Sequence, residues 1–528
     1  MYLCEELVMD IFTQFILEHE QDDTGRLLLG REKWPGIDMD LAVHTIEGRR
    51  RMRVKVPAWH AVPSLLYPTR LCTEQCSSAA TARYKAALAA RILSGKTEMP
   101  ATAASPTALP GGVEAPEGAI ADLTGGLGVD AWAFSQVAGQ VLHNEMDPLL
   151  SEAVCHNFAQ LGVSNTTFRT ECAASGQIGA ILGGFRPDLI FLDPARRAGD
   201  GRKVFRIEDC RPDVLSLKEE LLRHAPHLLL KISPMADIGR VVGQLHEASG
   251  PGRVREVHIV EAGGECKELL LWIDRGWTGP YRIFVCHAGQ HGAASADAGN
   301  ADASPSVEKA EESPWQEALA FDPEAERRAV PQFVPGPGAM VGGLLFEPGK
   351  ALSKAGVFHT LADGTGLLKL SRHTHLYFVS PAAFPSACRS ASPFGPAPRS
   401  GTGANQGKKA ATELLRFGKL FGIKEVHPFS GKTAKAVGKA WPRADVTVRD
   451  LPLSSDELRQ RMGVVSDASV HIFGCRVVSP AADDGQGRSG SIRTTKDGAP
   501  RDSACLLVTE PVDPVFIQTS GVPVPPDA

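Results

Sequence analysis

Apolar residues recur at two different periods along this chain, and the changes between them mark out its elements. Over Ala79–Leu93, Tyr84, Leu88 and Ile92 fall four apart, on one face of a helix that Ser77 or Ser78 can cap. From residue 119 short apolar runs alternate with helical stretches. The pattern predicts strand Ala119–Leu123, a helix beginning at Trp132–Val137, strand Gln140–His143, helix Pro148–Gln160 and strand Thr167–Thr170. It continues with strand Asp188–Leu192, helix Val214–Arg223, strand His227–Ile232 and helix Ile238–Glu247. Strands separated by helices imply crossover connections, hence a parallel sheet with helices on both faces. Arg255–Val260 and Glu268–Ile273, with only a short loop between them, predict a hairpin-like pair that closes this sheet.

Four stretches break the pattern: Met99–Gly118, Ala288–Ser306, Ser380–Gly407 and Ala481–Ser503. They lack the apolar residues needed to offset ordering entropy; in the third, 20 of 28 residues are Gly, Ala, Ser or Pro. Read as linkers or surface insertions, they leave four pieces: a helical region 1–98, an α/β piece 119–277, and two smaller α+β pieces, 278–379 and 408–528. A chain of 528 residues has room for several such domains. With 43% hydrophobic and 22% charged residues, wholesale disorder and fibrous folds are excluded. No apolar stretch approaches the ~18 residues that span a bilayer, and the acidic start MYLCEELVMDIF lacks the basic residues of a secretory signal. The expectation is a cytoplasmic protein with no membrane partner.

Eleven scattered cysteines suit reduced thiols better than a disulfide framework. Cys72 and Cys76 do not have the spacing of a zinc pair, and no further ligands follow, so no metal is expected. The net charge of −5 gives no global attraction to nucleic acid. Locally, Gln406–Met462 carries twelve Lys and Arg against six Asp and Glu, which suits either a phosphate-binding surface or a solvated one.

The candidate chemistry centres on Asp122-Leu-Thr-Gly-Gly-Leu-Gly-Val-Asp130, directly after the first strand of the α/β piece. Glycines there let the backbone turn sharply and approach a ligand, and a following helix offers unpaired N–H groups. Gly126-x-Gly128-x-x-Ala131, with Glu145 further on as a ribose acid, also fits a dinucleotide fingerprint. Asp122 four residues before Gly126 gives instead the D-x-x-x-G-x-G order of S-adenosylmethionine sites, where a carboxylate receives the cofactor's amino group.

A second motif, Asp193-Pro194-Ala195-Arg196-Arg197, ends the strand DLIFLD and so faces the same crevice. Its position is that of the (D/N)PP(Y/F) loop of methyltransferases acting on nucleobase nitrogens, with the aromatic replaced. Arg196 and Arg197 suit phosphate contact or stacking on a base, or else solvate a surface loop. A similar loop occurs in RNA 5-methyluridine methyltransferases, but the strand ending Leu230-Lys231-Ile232-Ser233-Pro234 offers no cysteine nucleophile. Cys172 and Cys210 are more simply ordinary thiols than nucleophiles. Gly431-Lys432-Thr433 is not a Walker motif, since the required earlier glycine is Val426.

These blocks together resemble the bacterial class I methyltransferases with a C-terminal THUMP-like domain, found mainly in Bacteroidetes. Glu74–Ser78, Thr81-Ala82 and Tyr84–Ala86 resemble that family's N-terminal helical region. Asp122–Asp130 resembles its cofactor loop, Asp193–Arg197 with Glu208–Cys210 its active-site loop, and Leu230–Asp237 its next strand and turn. Phe346–Pro348, Lys354–Gly356 and His375–Tyr377 resemble a ferredoxin-like domain; Arg449–Leu453 and His471–Phe473 resemble the THUMP-like domain. The resemblance implies a Rossmann-like core and an S-adenosylmethionine-dependent methyltransferase acting on RNA, with transfer RNA as the leading substrate.

On this reading Asp122, Thr124, Gly125, Gly126 and Gly128 hold the methionine end of the cofactor and Glu145 its ribose. Asp193, Arg196 and Arg197 orient the target base, and Lys432, Lys435 and Lys439 contact RNA phosphates. An acid after the third strand usually meets the adenine; here the sequence reads Thr170-Glu171-Cys172, which leaves Glu171 open. The alternatives are a protein or small-molecule acceptor, and a non-catalytic RNA-binding factor.

Overall fold

Beyond residue 117 the alternation of apolar strands and helices builds one sheet, and the order of its strands decides where a ligand can approach. The computed structural model describes residues 11–95, 117–195, 207–287, 319–379, 417–479 and 502–512. Two units divide the chain, Met1–Ala320 and Phe321–Ala528. The strands of the first sheet are β1 (Ala119–Asp122), β2 (Gln140–Asn144), β3 (Thr166–Arg169), β4 (Leu189–Leu192), β5 (His227–Ile232), β6 (Arg253–Ala262), β7 (Glu265–Asp274), β8 (Arg282–His287) and the short β9 (Leu319–Phe321) at the boundary between the units. Their order is β3-β2-β1-β4-β5-β7-β6-β8-β9.

The five strands from β3 to β5 are parallel, and β7 enters antiparallel between β5 and β6. Because β2 and β4 lie on opposite sides of β1, the order in which the chain adds strands reverses there. That point is where open α/β sheets leave a crevice outside the carboxyl ends of their strands.

The expected helices Ala79–Leu93, Pro148–Gln160 and Ile238–Glu247 and the strand His227–Ile232 all form with those bounds. The helix expected from Trp132 begins at Val129, since Gly128 adopts φ +83° and the chain enters the helix directly from it. The closing hairpin is longer than its apolar core, because β6 and β7 go on pairing, through register shifts at Val254/Glu256 and Val260/Glu261, up to the Gly263-Gly264 turn. Arg282–His287, within the piece expected as 278–379, pairs in parallel with β6 and so belongs to the first sheet.

The N-terminal helices share a core with this sheet. Trp59, Tyr67, Tyr84, Leu88 and Ile92 are buried in one cluster with Ile120, Val141, Phe191 and Leu229. Ser78 caps the Ala79–Leu93 helix by accepting the Thr81 N–H at 3.2 Å. A buried polar link adds direction to this packing: the Tyr84 hydroxyl lies 2.7 Å from His258 Nδ1, His258 Nε2 lies 2.9 Å from Glu256, and Glu256 is gripped by both terminal nitrogens of Arg91. Burial charges a desolvation penalty for such an ion pair, so it fixes the helix's orientation more than it adds net stability.

The second unit forms one seven-stranded sheet from β10 (Leu344–Pro348), β11 (Leu367–Lys369), β12 (Tyr377–Val379), β13 (Gly418–Pro428), β14 (Asp445–Val448), β15 (His471–Val478) and β16 (Asp502–Val512). Its order is β11-β12-β10-β13-β16-β15-β14, so strands from either side of residues 380–416 meet through the antiparallel β10–β13 pair. At that seam a Cβ on Gly418 would lie 2.3 Å from the Phe346 ring, so only glycine lets the strands close there.

Candidate functional site

At the sheet's reversal point, each candidate side chain stands at the end of a strand because the apolar run that buries the strand stops there. Asp122 closes β1 and is buried; its Oδ1 accepts the Thr124 N–H at 3.1 Å, which starts the turn of the glycine loop. Burial pushes its carboxyl well above the usual carboxylate range, and Asp130, Asp193 and Glu145 push in the same direction.

Gly125 donates to Asn144 O at 2.8 Å and Gly126 donates to Glu145 Oε2 at 2.8 Å, so the end of β2 pins the loop. The other Glu145 oxygen accepts the Asp147 N–H at 2.9 Å. Gly126 adopts φ +52°, and a Cβ there would meet nothing within 4 Å, so this part of the loop faces open space. Gly125 is the opposite case: its Cβ would fall 2.2 Å from Nε2 of the buried His143.

The Asp193 loop is tied directly to this glycine loop. Thr124 Oγ1 accepts the Asp193 N–H at 2.7 Å, joining the end of β1 to the end of β4. Asp193 Oδ2 accepts from Lys231 Nζ at 2.5 Å, while Oδ1 makes no hydrogen bond among the described residues. Arg196 and Arg197 lie outside the described residues. Glu171 meets Asn144 only through its backbone, its N–H reaching Asn144 Oδ1 at 3.2 Å and its carbonyl accepting from Nδ2 at 2.9 Å.

The structure also gathers residues for which no chemical role was expected. Lys85, 0% exposed, donates to Glu268 at 2.9 and 3.1 Å and to Ser77 Oγ at 2.9 Å, and lies 3.1 Å from Asp130 Oδ1. Ser77 in turn donates to Asp130 Oδ2 at 2.8 Å. Lys231, also buried, stands 3.8 Å from Glu268. Burial alone would depress the Lys231 ammonium, but Asp193, Glu268 and Asp130 outweigh it and hold the pKa above the ordinary lysine value. A lysine inside the otherwise apolar strand HLLLKI and an acid opening the run ELLLWI are the signals that could have found this cluster, since such residues are rarely buried unless paired.

His143 and Asn144 end β2 beneath the loop. Burial lowers the His143 pKa to about 4 against the opposing pull of the Gly125 and Gly126 backbone, and among the described residues neither ring nitrogen makes a hydrogen bond of normal geometry. Among the described residues no group of His, Cys, Asp and Glu is arranged to hold a metal ion, and no helix is long and apolar enough to cross a membrane.

In the second unit, Lys432, Lys435 and Lys439 lie on one exposed face of the helix Gly431–Ala440, which Ser430 caps through the Thr433 N–H at 3.1 Å. Ala434, Val437 and Gly438 face inward, and a Cβ on Gly438 would fall 2.0 Å from Met462 O. Neighbouring cations are matched: Lys424 with Glu510, Arg443 with Asp467, Arg449 with Glu347 and Arg459 with Asp456. No described acid pairs with any of the three lysines.

Comparison with known proteins bears on this arrangement. A family model for a ferredoxin-like domain matches residues 344–385, and one for a THUMP-like domain matches residues 418–485. The crystal structure of a candidate methyltransferase from Porphyromonas gingivalis W83 aligns with 96% of this chain and 99% of its own, at 26% identity and a TM-score of 0.64. Partial overlaps include a candidate methyltransferase from Streptococcus mutans in complex with SAH (13% identity, 36% of this chain and 96% of that one, TM-score 0.24). An rRNA methylase from Streptococcus thermophilus overlaps 30% of this chain and 87% of its own, at 14% identity and a TM-score of 0.22. Overlaps that loose carry no inference about chemistry. No curated protein sequence matches the chain. The first unit therefore has a Rossmann-like class I methyltransferase core, and the second carries ferredoxin-like and THUMP-like parts on one sheet.

Proposed function

We propose that this chain is an S-adenosylmethionine-dependent methyltransferase that methylates a nucleobase nitrogen of RNA, with transfer RNA as the leading substrate. One observation carries the reading: the glycine loop and the Asp193 loop share a hydrogen bond, Thr124 Oγ1 to Asp193 N–H, at the sheet's reversal point. Donor and acceptor loops are thereby held side by side.

The residues fit the cofactor on two counts. Asp122 is a buried carboxyl poised to receive an ammonium group, and Gly126 leaves space where a side chain would stand. Asp122, Thr124, Gly125, Gly126 and Gly128 would hold the methionine end and Glu145 the ribose. S-adenosylmethionine, when bound, supplies a methyl group on a sulfonium sulfur. The chain's part is placement: Asp193, with Arg196 and Arg197, orients the target amine, and holding a nitrogen about 3–3.5 Å from its reaction partner supplies much of the rate. No strong base is required. Lys432, Lys435 and Lys439 on the THUMP-like part, exposed and with no acidic partner among the described residues, suit contact with phosphates, which positions RNA without reading its sequence.

The division into 1–98, 119–277, 278–379 and 408–528 is kept as the functional one, with Arg282–His287 an edge contribution to the first sheet. A calorimetric titration with S-adenosylmethionine, followed by mass spectrometry of nucleosides from a deletion strain, tests the reading. Loss of one methylated nucleoside supports it; a silent titration would leave a non-catalytic RNA-binding factor.

A further inference from the structure

Two lysines and three carboxylates gather around the Asp193 loop: Lys85, Lys231, Glu268 and Asp130 are buried, and Asp193 is partly exposed. Lys231 comes from β5, Glu268 from β7, Asp130 from the helix after the glycine loop, Asp193 from the end of β4 and Lys85 from the N-terminal helix Ala79–Leu93. The contacts run in one chain. Asp130 is held by Ser77 and Lys85, Lys85 by Glu268, Glu268 stands 3.8 Å from Lys231, and Lys231 holds Oδ2 of Asp193. An isolated buried ammonium is costly, and replacing such a set by apolar residues is often neutral or stabilising, so stability alone gives no reason for it.

The geometry gives another reason. A carboxylate has two oxygens and rotates freely about its last bond unless one is fixed. With Oδ2 of Asp193 held, Oδ1 is the oxygen without a partner among the described residues, next to the loop that Thr124 ties to the cofactor side.

We propose that Lys231 is a positioning residue for methyl transfer, fixing Oδ2 of Asp193 so that Oδ1 is presented to an N–H of the acceptor amine, and that Lys85, through Glu268, holds Lys231 in place. This makes the N-terminal helical region part of the transfer apparatus, since it supplies Lys85 and Ser77. It also links the two sides of the site, because Lys85 touches both Asp130, behind the cofactor loop, and Glu268, behind the acceptor loop. The inference rests on the methyltransferase reading above.

The test is kinetic, on the full-length chain with unmodified RNA from the deletion strain. Lys231→Met is expected to lower kcat by about 100-fold, the scale on which a 1 Å misplacement is felt. The RNA KM and the S-adenosylmethionine affinity should stay within about three-fold. Lys231→Arg, which still donates to Oδ2, should recover at least tenfold of the loss, and Lys85→Met should show a smaller loss of kcat with the same split. Because Lys231 acts through Asp193, the double variant Asp193→Asn/Lys231→Met should be no slower than Asp193→Asn alone. Additive losses, an unchanged kcat in Lys231→Met, or a fall in cofactor affinity that follows a fall in melting temperature would overturn the proposal.

If the parent protein methylates no RNA, the functional reading fails instead. The ion pair is then read by acetic anhydride labelling of Lys231 followed by mass spectrometry. Labelling should be several-fold faster in Asp193→Asn than in the parent, and equal rates would refute the proposed grip. Should Lys231→Met fail to fold, Lys231→Arg and the labelling comparison still decide the matter.

Discussion

Gly125 and Gly126 are adjacent, yet they must be glycine for opposite reasons, and alanine at each should separate folding from ligand binding. At Gly125 a Cβ would lie 2.2 Å from Nε2 and 2.4 Å from Cδ2 of His143. That ring has little room to retreat: it is fully buried, with the Phe158 and Phe168 rings 6.1 and 5.8 Å away between centroids. Overpacking of this kind costs about 1–3 kcal/mol, and the tightness of the contact puts Gly125→Ala at the upper end. At Gly126 the Cβ meets nothing, so the cost is that of the left-handed backbone at φ +52°, about 1–2 kcal/mol. Urea unfolding followed by tryptophan fluorescence gives the two stabilities, and calorimetric titration with S-adenosylmethionine gives the affinities. Gly126→Ala should be the more stable of the two and still lose cofactor binding, because its methyl group occupies the open side of the loop. A Gly126→Ala protein that binds the cofactor as the parent does, or that is the less stable of the pair, would refute this account of the loop.

Other consequences follow from charge. Because Asp122 is pushed well above the usual carboxylate range, receiving an ammonium group requires it to give up a proton below that raised pKa. S-adenosylmethionine affinity should therefore rise with pH over that window, and the binding enthalpy should vary with the buffer's ionisation enthalpy; a buffer-independent enthalpy in the window rules this out. His143 is held at a pKa of about 4 against an ordinary 6.5, so the unfolded chain takes up its proton first as pH falls. Stability present above pH 6.5 is thus lost progressively toward pH 4, by roughly 3 kcal/mol at 1.36 kcal/mol per unit. Urea unfolding of His143→Gln should show a correspondingly shallower acid dependence. Changing Lys432, Lys435 and Lys439 to Ala should weaken RNA binding across sequences and flatten the salt dependence by up to about three contacts, each worth a slope of about 0.7 on single strands or 0.9 on duplex. Cofactor affinity should be unchanged, and an unaltered salt slope would make this helix face merely solvated.

Much of the first unit was legible because its elements announce themselves locally. The strand His227–Ile232 is a continuous apolar run and the helix Ala79–Leu93 has a four-residue apolar spacing with a capping serine, so neither depends on distant partners. Asp122 and Asp193 could be placed at strand ends for the same reason, since each follows directly on an apolar run. Legibility failed where pairing is non-local. Nothing within Arg282–His287 says that it will lie beside Arg253–Ala262 rather than begin a new domain, and nothing between residues 344 and 428 says that β10 and β13 will be neighbours in one sheet.

The charged cluster shows the same limit at the level of single side chains. Lys85 sits on the apolar side of a helix, Lys231 in an apolar strand and Glu268 inside another, just before its apolar run, and each taken alone reads as a misplaced charge. Together they neutralise one another, and only the fold brings positions 85, 231 and 268 within reach. A charge out of place in an apolar pattern is therefore a request for a partner that the local sequence does not supply. Removing one member should cost more than removing a matched pair, since the partner left behind is buried and uncompensated. Lys85→Met is accordingly expected to destabilise the first unit by about 3–5 kcal/mol, and Lys85→Met/Glu268→Gln by distinctly less, as measured by urea unfolding. If the two substitutions simply add, the lysine and the glutamate are independent, and the chain of contacts from the N-terminal helix to Asp193 is not a functional unit.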